Sequence, residues 1–154
     1  MNLTRLRWTK NIVRDDGIWA YSHADNIRID ENFNLHWKPD AHKNAARPEK
    51  DDLAILRQKT KVTHLVKFVD NTEPKHDFSN QWLYRVVKVV WMADVWGEPP
   101  AQTEIFDCSL KLHGGNIMEL ENIKALSENW KNQGGMSSFN RHIQRKLKLQ
   151  LSSV

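Results

Sequence analysis

Aromatic side chains next to cations in predicted loops are the residues of this 154-residue chain best suited to binding chemistry. Trp37 is followed directly by Lys38. Trp91 ends a predicted strand, and Trp96 lies in the loop after it. Stacking on an aromatic ring contributes about 1–3 kcal/mol per nucleic-acid base, and an adjacent cation can neutralise phosphate. These residues predict a base-stacking site, with closure of the ends of the core as the alternative role of each Trp.

Short polar side chains that could read the edge of such a base follow the first predicted strand. They are Ser22 and His23. A base turned out of its helix can be held between rings and recognised by hydrogen bonds along its edge. The net charge is +4, and no acidic residue follows Glu128. We expect phosphates to be contacted by six cations, namely Lys43, Arg47, Arg141, Arg145, Lys146 and Lys148.

Metal and thiol chemistry find little support in the sequence. His36 and His42 share a predicted loop without a third ligand nearby, so we expect neither a metal site nor a cofactor. His64 alternates with apolar residues of a predicted strand, which favours a structural role. Cys108, the single cysteine, is expected to be a small buried or semi-buried residue.

Nuclease and hydrolase motifs are also incomplete. Asp52, Glu73 and Lys75 have the residue types of a metal-dependent nuclease, but residues 73–75 read as a turn where a strand is needed. The glycine pairs at 114–115 and 134–135 lack the context of a phosphate-binding loop. We therefore expect binding without catalysis. The alternatives are a hydrolase or nucleobase-processing enzyme with His23 in an acid–base pair, and a protein-interaction module with exposed Trp anchors.

Three β-rich runs in the middle of the chain must position these residues. They span residues 53–58, 62–70 and 82–92, with a polar turn at 59–61. Residues 17–21 predict a first strand, and residues 22–26 a polar turn that caps a short helix through Ile27 and Ile29. Residues 1–16 predict an arm or a short edge element. Residues 32–44 predict a loop because Pro39 forbids a regular ladder.

Two amphipathic helices are predicted near the end of the chain. Asn116 is expected to cap the first, with a buried stripe of Ile117, Leu120, Ile123, Leu126 and Trp130. The second is expected to start at Ser138, with its cations outside and Phe139, Ile143, Leu147 and Leu151 inside. Residues 94–107, with Gly97, Pro99 and Pro100, predict a long loop.

The whole chain, 1–154, therefore predicts one α+β domain, a small curved β-barrel flanked by helices. It contains no run of 18 apolar residues, so no membrane partner is expected, and no secretory signal is visible. A single cysteine fits a cytoplasmic location. The oligomeric state is left open.

Two stretches resemble the PUA-like superfamily, in particular its YTH and EVE branches. Residues 18–37, IWAYSHADNIRIDENFNLHW, are similar to the YTH opening, in which a strand is followed by an acidic-Asn helix start and then by a Trp. Residues 36–58, HWKPDAHKNAARPEKDDLAILRQ, are similar to the EVE pattern of a Trp loop, an Ala-rich basic segment and a step into a strand. The next run, VTHLVKFVD, resembles the following barrel strand of these families.

The resemblance implies a PUA-like barrel that binds a modified base, for example a methylated one, in DNA or RNA. The base would occupy an aromatic pocket, and neither branch requires a metal. Trp37 would match the first pocket Trp of the YTH pattern, with Lys38 after it. Ser22 and His23 would match the polar positions that touch the base. The related ASCH branch implies the hydrolase alternative.

The chain departs from these patterns at three positions. Tyr21 stands where YTH proteins usually have Lys, and Lys38 stands where they usually have a small hydroxyl residue. Asp51 replaces the Gly of the step into the strand. The second pocket aromatic has no aligned position, and Trp91 or Trp96 is expected to supply it.

Overall fold

Seven strands and four α-helices make up the regular structure of the described residues. The computed structural model describes residues 3–13, 18–77, 82–111 and 114–149. The strands are β1 (Leu6–Asn11), β2 (Asn32–Trp37), β3 (Leu53–Gln58), β4 (Lys61–Phe68), β5 (Lys75–His76), β6 (Leu83–Met92) and β7 (Ile117–Glu119). The helices are α1 (His42–Ala45), α2 (Gln102–Phe106), α3 (Lys124–Lys131) and α4 (Gly135–Lys146), with 3-10 turns at His23–Asp25 and Leu120–Asn122.

The strands form one mixed sheet that curls into a half-barrel. Its order is β2-β6-β4-β3-β1-β7, and the short β5 also pairs with β6. The β1–β3 pair is parallel, whereas the other pairs are antiparallel. The architecture is therefore an α+β fold built around a partly closed barrel, and the predicted strands at 53–58, 62–70 and 82–92 are confirmed as β3, β4 and β6 with small shifts at their ends.

The two faces of the curled sheet bury two separate hydrophobic cores. Side chains of a strand alternate between faces, so β3 sends Leu53 and Ile55 to one side and Ala54 and Leu56 to the other. The core under α2, α3 and α4, which we call the helix-side core, includes Phe106, Leu126, Trp130, Phe139 and Ile143. The core on the concave side, which we call the inner core, includes Trp8, Leu35, Trp37, Phe68 and Val87.

Four of the seven strands in the described residues are absent from the prediction, namely β1, β2, β5 and β7, and β1 and β2 are the longer two. Residues 32–37, predicted as loop, form β2, which pairs with β6 from Asn32 opposite Lys88 to Trp37 opposite Leu83. Pro39 lies beyond the end of this strand and does not interrupt its ladder. Residues 6–11, predicted as part of an arm or edge element, form β1 inside the sheet, between β3 and β7.

The predicted strand at 17–21 is wrong for its described residues, 18–21, because they form no ladder and Tyr21 has a left-handed φ of 55°. The predicted cap after it is confirmed, but the predicted helix through Ile27 and Ile29 is wrong, because the capped element is a 3-10 turn that ends at Asp25. Ser22 Oγ accepts a hydrogen bond from the Ala24 amide, and Asp25 accepts one from the Ser22 amide, so the two close a capping box on the 3-10 turn. Residue 17 lies outside the described part.

The C-terminal third differs from the prediction at its start. Residues 117–119 pair with β1 as β7, and the helix begins only at Lys124, so Asn116 caps no helix. All five residues of the predicted stripe are buried, but they do not share one face: Ile117 belongs to the inner core, and Leu120, Ile123, Leu126 and Trp130 belong to the helix-side core. Within the predicted loop at 94–107, Gln102–Phe106 form α2, after both prolines.

The last helix is confirmed, although it begins at Gly135 and not at Ser138. Phe139, Ile143 and Leu147 are buried as predicted, and Leu151 lies outside the described residues. None of the helices in the described ranges is long and apolar enough to cross a membrane.

Candidate functional site

A groove of about 940 Å³ opens on the concave side of the half-barrel, and we call it the aromatic groove. Its wall combines rings, cations, carboxylates and small residues. The lining residues are Lys10, Ile12, Val13, Ala20, Tyr21, Asp25, His36, Trp37, Lys38, Asp40, Trp82, Gly114, Gly115 and Asn116. The size falls within the range of small-molecule sites, about 300–1,000 Å³.

Tyr21 reaches the groove because buried polar side chains hold its backbone. Gln58 makes two hydrogen bonds to Ala20, accepting from its amide at 2.7 Å and donating to its carbonyl at 2.9 Å. His64 Nε2 donates to the Tyr21 carbonyl at 2.8 Å. These contacts from β3 and β4 stabilise the left-handed backbone at Tyr21, a conformation that is unfavourable for an aromatic residue.

His64 is the structural histidine that its apolar neighbours predict. It is fully buried, and its Nδ1 lies 2.8 Å from the Thr63 hydroxyl. Because Nε2 faces a carbonyl, that nitrogen carries the proton, and Thr63 donates to Nδ1. Burial lowers the pKa of His64 to about 4, so the ring is neutral at pH 7.

Tyr21 fixes the next ring of the groove, His36 on β2. The Tyr21 hydroxyl accepts a hydrogen bond from the His36 amide at 3.1 Å and lies 3.0 Å from His36 Nδ1. The two rings are parallel, with an interplanar angle of 1° and centroids 6.3 Å apart. Burial lowers the pKa of His36, which favours the neutral ring, and His36 Nδ1 forms a hydrogen bond with the Tyr21 hydroxyl. The groove therefore has a preorganised pair of rings on one wall.

Trp37 lies in the groove wall with little of its surface exposed. Its side chain is only 1% exposed, and its indole N–H donates to Asn44 Oδ1 at 2.9 Å. The same Asn44 amide bonds both the N–H and the C=O of Ile117 on β7. Trp37 therefore joins β2 to the opposite edge strand of the half-barrel, and Lys38 after it is exposed at the groove mouth.

Lys10 on β1 is the most unusual group in the groove. It is 3% exposed, its ammonium donates to the Gly115 carbonyl, and Nζ lies 4.8 Å from the centroid of the Trp37 ring. Burial, with a smaller contribution from Arg57, lowers the pKa of Lys10 to about 7. Lys10 is not among the predicted site residues, because the sequence does not predict that residues 6–11 form a strand inside the sheet.

Trp82 supplies the exposed ring that the sequence predicts at Trp91 or Trp96. It is 41% exposed and lines the groove at the start of β6. The sequence could have indicated Trp82 as a groove residue, because it is an aromatic residue that lies between a polar connection and the start of a strand.

Trp91 and Trp96 lie elsewhere. Trp91 packs against the helix-side core, because its position on β6 places it on the opposite face of the sheet. Trp96 packs against the inner core beside the groove, where His23 meets its ring edge-on at 6.2 Å and His64 lies 5.5 Å away. Neither residue lines the aromatic groove.

The two predicted edge-reading residues lie next to the groove, not in its wall. The Ser22 side chain is buried and occupied in the cap of the 3-10 turn. His23 is exposed, and its ring contact is with Trp96. The described part of the chain shows no hydrogen bond between His23 and a carboxylate, which the hydrolase alternative requires.

The predicted phosphate-contacting cations divide between two sides of the molecule. Lys43 is exposed on α1, whereas Arg47 stacks over the Trp8 ring at 5.0 Å and pairs with Glu119 at 3.6 Å. Arg141, Arg145 and Lys146 are exposed on α4, and Lys148 is exposed just after it. Because α4 covers the helix-side core, its cations lie across the sheet from the aromatic groove.

A second concavity, which we call the helical hollow, lies between α2, α3 and α4. It has a volume of about 590 Å³ and is lined by Glu104, Asp107, Trp130, Gln133, Ser138, Arg141, His142, Arg145 and Lys146. The hollow shares no lining residue with the aromatic groove.

The remaining chemical candidates are occupied by structural contacts. Asp52 is buried and accepts hydrogen bonds from Arg5 and Trp8, while Glu73 pairs with His42 at 3.2 Å. The described ranges contain no group of three or more His, Cys, Asp or Glu residues arranged to hold a metal ion. Cys108 is semi-buried as predicted. Burial raises the pKa of its thiol, and the negative charge of Asp107 makes a smaller contribution in the same direction, so the less reactive protonated form is favoured.

The aromatic groove is thus the site in which rings, a buried cation and hydrogen-bonding groups converge. Comparison with known proteins adds no family to this description: the chain matches no protein-family model, and neither a curated protein nor a solved structure is significantly similar to it.

Proposed function

We propose that the chain is a nucleic-acid-binding module that recognises a modified base, such as a methylated one, in the aromatic groove without catalysis. A PUA-like barrel of the EVE or YTH type is the fold that this proposal implies. The observation that carries it is the composition of one groove, in which the rings of Tyr21, His36 and Trp82 surround a concavity large enough for a nucleotide. Base stacking on such rings tolerates any base because every base has a flat π-face.

The ring arrangement supports a flat ligand over an extended peptide. Tyr21 and His36 are hydrogen-bonded to each other, and His64 on β4 holds the Tyr21 backbone, so little side-chain entropy is lost when a ligand stacks on these rings. Trp82 at the rim is partly exposed and free to pack on the other face of a planar group. The hydrophobic and polar groups needed for stacking and edge recognition therefore occur together.

The charged residues of the groove are consistent with an anionic partner whose binding does not depend on charge alone. Lys10 and Lys38 line the groove together with Asp25 and Asp40, so the two charge signs are balanced there. Phosphate attraction must then come mainly from cations outside the groove, including Lys43 on α1. We expect the chain to bind unmodified nucleic acid with a modest affinity that decreases as salt increases. The groove should add a preference for the modified base.

The test is binding of matched methylated and unmodified oligonucleotides, both DNA and RNA, at about 50 and 200 mM salt. We expect preference for one modified strand to persist at both salt concentrations, while the affinity for all strands falls as salt increases. Equally weak, salt-insensitive binding of every strand would contradict the proposal.

Trp82→Ala is the variant that tests the groove directly. Loss of one stacking ring is expected to weaken the preferred strand by about 1–3 kcal/mol. Trp91→Ala is the matched control, because it removes a partly buried Trp on the opposite face of the sheet. It should lower stability without changing the preference, and an equal loss of preference in both variants would place the site elsewhere.

A further inference from the structure

Lys10 is a buried lysine without an acidic partner in the described residues. Its ammonium lies between the Gly115 carbonyl, to which it donates, and the face of the Trp37 ring. The nearest charge that acts on it is the guanidinium of Arg57, which is also positive. An uncompensated buried cation is unfavourable for folding, so its presence in a groove calls for a functional explanation.

The hydrogen-bonding capacity of Lys10 is only partly used. Below its pKa of about 7 the Lys10 side chain is an ammonium group, which has three N–H donors and no acceptor. The Gly115 carbonyl takes one donor, and the face of the Trp37 ring takes a second through a cation–π contact. Lys10 lines the aromatic groove, so the remaining donor is available to a ligand there.

We propose that Lys10 selects, for the aromatic groove, a base that carries an exocyclic carbonyl oxygen over one derived from adenine. This inference rests on the proposed function, because it names the class of base that the same groove accepts. The buried ammonium would donate to the carbonyl oxygen while the rings of Tyr21 and Trp82 hold the plane of the base.

The preference follows from the acceptors of the bases. Guanine, hypoxanthine, thymine, uracil and cytosine each carry a carbonyl oxygen, whereas adenine has an amino group where hypoxanthine has its oxygen. In adenine the amino group at this position sets donor against donor, and the ammonium can pair with a flanking ring nitrogen only if the base shifts in the groove. Such mismatches of a desolvated charge are costly.

Lys10 differs in this respect from the other charged groups of the groove. Lys38, Asp25 and Asp40 are exposed, so water competes for their hydrogen bonds. His36 is half-buried, and the Tyr21 hydroxyl occupies its Nδ1. Lys10 is therefore the group whose interaction with a ligand is least weakened by solvent.

The experiment uses single strands of roughly nine nucleotides, all adenine except for one central test base. The test bases are adenine, N6-methyladenine, hypoxanthine and 5-methylcytosine. Binding to the full chain is measured by fluorescence anisotropy at about pH 6, below the pKa of Lys10, where its side chain is charged. We expect hypoxanthine or 5-methylcytosine to bind at least about 10-fold more tightly than either adenine-type base, the effect of one charged hydrogen bond.

Lys10→Met keeps the length of the side chain over the Trp37 ring and removes the charge, so it is expected to fold. It should abolish the preference for a carbonyl base, whereas Lys10→Arg should keep most of it. Lys131→Met is the matched control, since it removes an exposed lysine of α3, outside the groove, and should leave the preference unchanged.

The outcomes separate the two proposals. Binding that is strongest for N6-methyladenine would overturn the role of Lys10 and leave the recognition of a modified base intact. An unchanged preference in Lys10→Met would do the same. Binding that is strong but equal for all test bases would overturn both, because it shows no preference for a modified base. No measurable binding of any strand, modified or not, would overturn the base-binding function and this inference with it.

Discussion

The aromatic groove and the helical hollow are both concave and both carry cations, yet they are built in opposite ways. In the groove, Lys10 is buried against Trp37, and a chain of hydrogen bonds from Gln58 and His64 orients Tyr21. In the hollow, the cations of α4 are exposed and face Glu104 and Asp107. Fixed, desolvated groups can discriminate between ligands, whereas mobile surface charges mainly set salt-dependent attraction.

The two concavities also differ in the role of the buried Trp that lies behind each of them. Each region is backed by a buried Trp whose indole N–H is satisfied, Trp37 by Asn44 and Trp130 by the Phe106 carbonyl at 3.0 Å. Both residues therefore contribute to stability, but only Trp37 also lines a groove with rings and a buried cation. Separating these two roles is the most direct way to test the difference.

The largest expected effect is that of Trp37→Ala. Deleting this buried ring should lower the free energy of unfolding by about 3–5 kcal/mol and abolish the preference for a modified base. Trp130→Ala, the matched control, should destabilise by a similar amount and keep the preference. Chemical denaturation and binding at low temperature, where both variants are folded, measure the two quantities. If the Trp37→Ala protein still prefers the modified base, Trp37 has no role in binding and does not differ from Trp130 in this respect.

A second prediction concerns the pH dependence of stability that Lys10 imposes. Burial lowers the pKa of Lys10 from 10.5 to about 7, so between these values the unfolded chain binds the proton and the folded chain does not. Stability should therefore rise with pH from about 7 to about 10.5, with a slope of at most about 1.4 kcal/mol per pH unit. The free energy of unfolding, measured by denaturant titration across this range, gives the slope.

Two variants isolate that contribution from other titrating groups. Lys10→Met removes the titration and should flatten the slope while raising stability at pH 7. Lys10→Arg keeps the charge throughout the range, so it should also flatten the slope but lower stability at pH 10. A slope that is the same in all three proteins would show that Lys10 is not desolvated in the folded state.

The polar network behind Tyr21 gives a third, smaller effect at acid pH. Burial lowers the pKa of His64 from 6.5 to about 4, so in this interval the unfolded chain takes up the proton first. Stability should fall as pH decreases from about 6.5 to about 4, by up to about 3 kcal/mol in total. His64→Gln should show a shallower decrease over the same interval. An identical decrease would assign the acid sensitivity to other groups.

The strands at the centre of the sheet were predictable because their composition leaves little choice. β3, β4 and β6 are rich in Val, Ile, Leu and aromatic residues, which suit a surface buried on both faces. β2 is absent from the prediction although Phe33, Leu35 and Trp37 alternate with polar residues at the strand period. The proline two residues after β2 excludes a ladder at its own position and leaves the preceding residues free to pair.

The site was less predictable than the fold, for a physical reason. Trp37 and Lys38 could be found as an aromatic residue next to a cation, and both line the groove. Lys10 could not, because its burial depends on β1 pairing in parallel with β3, a strand that is distant in the sequence. The same holds for Trp91, since only the register of β6 decides that it faces the helix-side core.

The turn into β3 contains a residue with a left-handed backbone. Asp51 adopts this conformation, with φ of 74°. Glycine adopts this conformation with little strain, and Asp is among the residues that tolerate it. The turn into β3 therefore has a backbone conformation at residue 51 that glycine would also adopt.

The smallest expected effects belong to the α4 cations. Arg145→Gln and Lys146→Gln should each weaken binding of long strands alike, whatever their sequence, and reduce the salt slope by about 0.7–0.9 for each phosphate that is no longer neutralised. They should not affect binding of a single modified nucleotide, because α4 lies across the sheet from the groove. Titrations of a mononucleotide and of a long strand, each at several salt concentrations, make the distinction.

Lys38→Gln is the matched control for these two variants, because Lys38 is also an exposed lysine but lies at the groove mouth. It should weaken a mononucleotide that retains its 5′-phosphate more than the corresponding nucleoside, since the phosphate supplies the charge that Lys38 attracts. If Lys146→Gln weakened the mononucleotide as much as Lys38→Gln does, the two regions would have to act as one surface, and the separation of a discriminating groove from an attracting helix would fail.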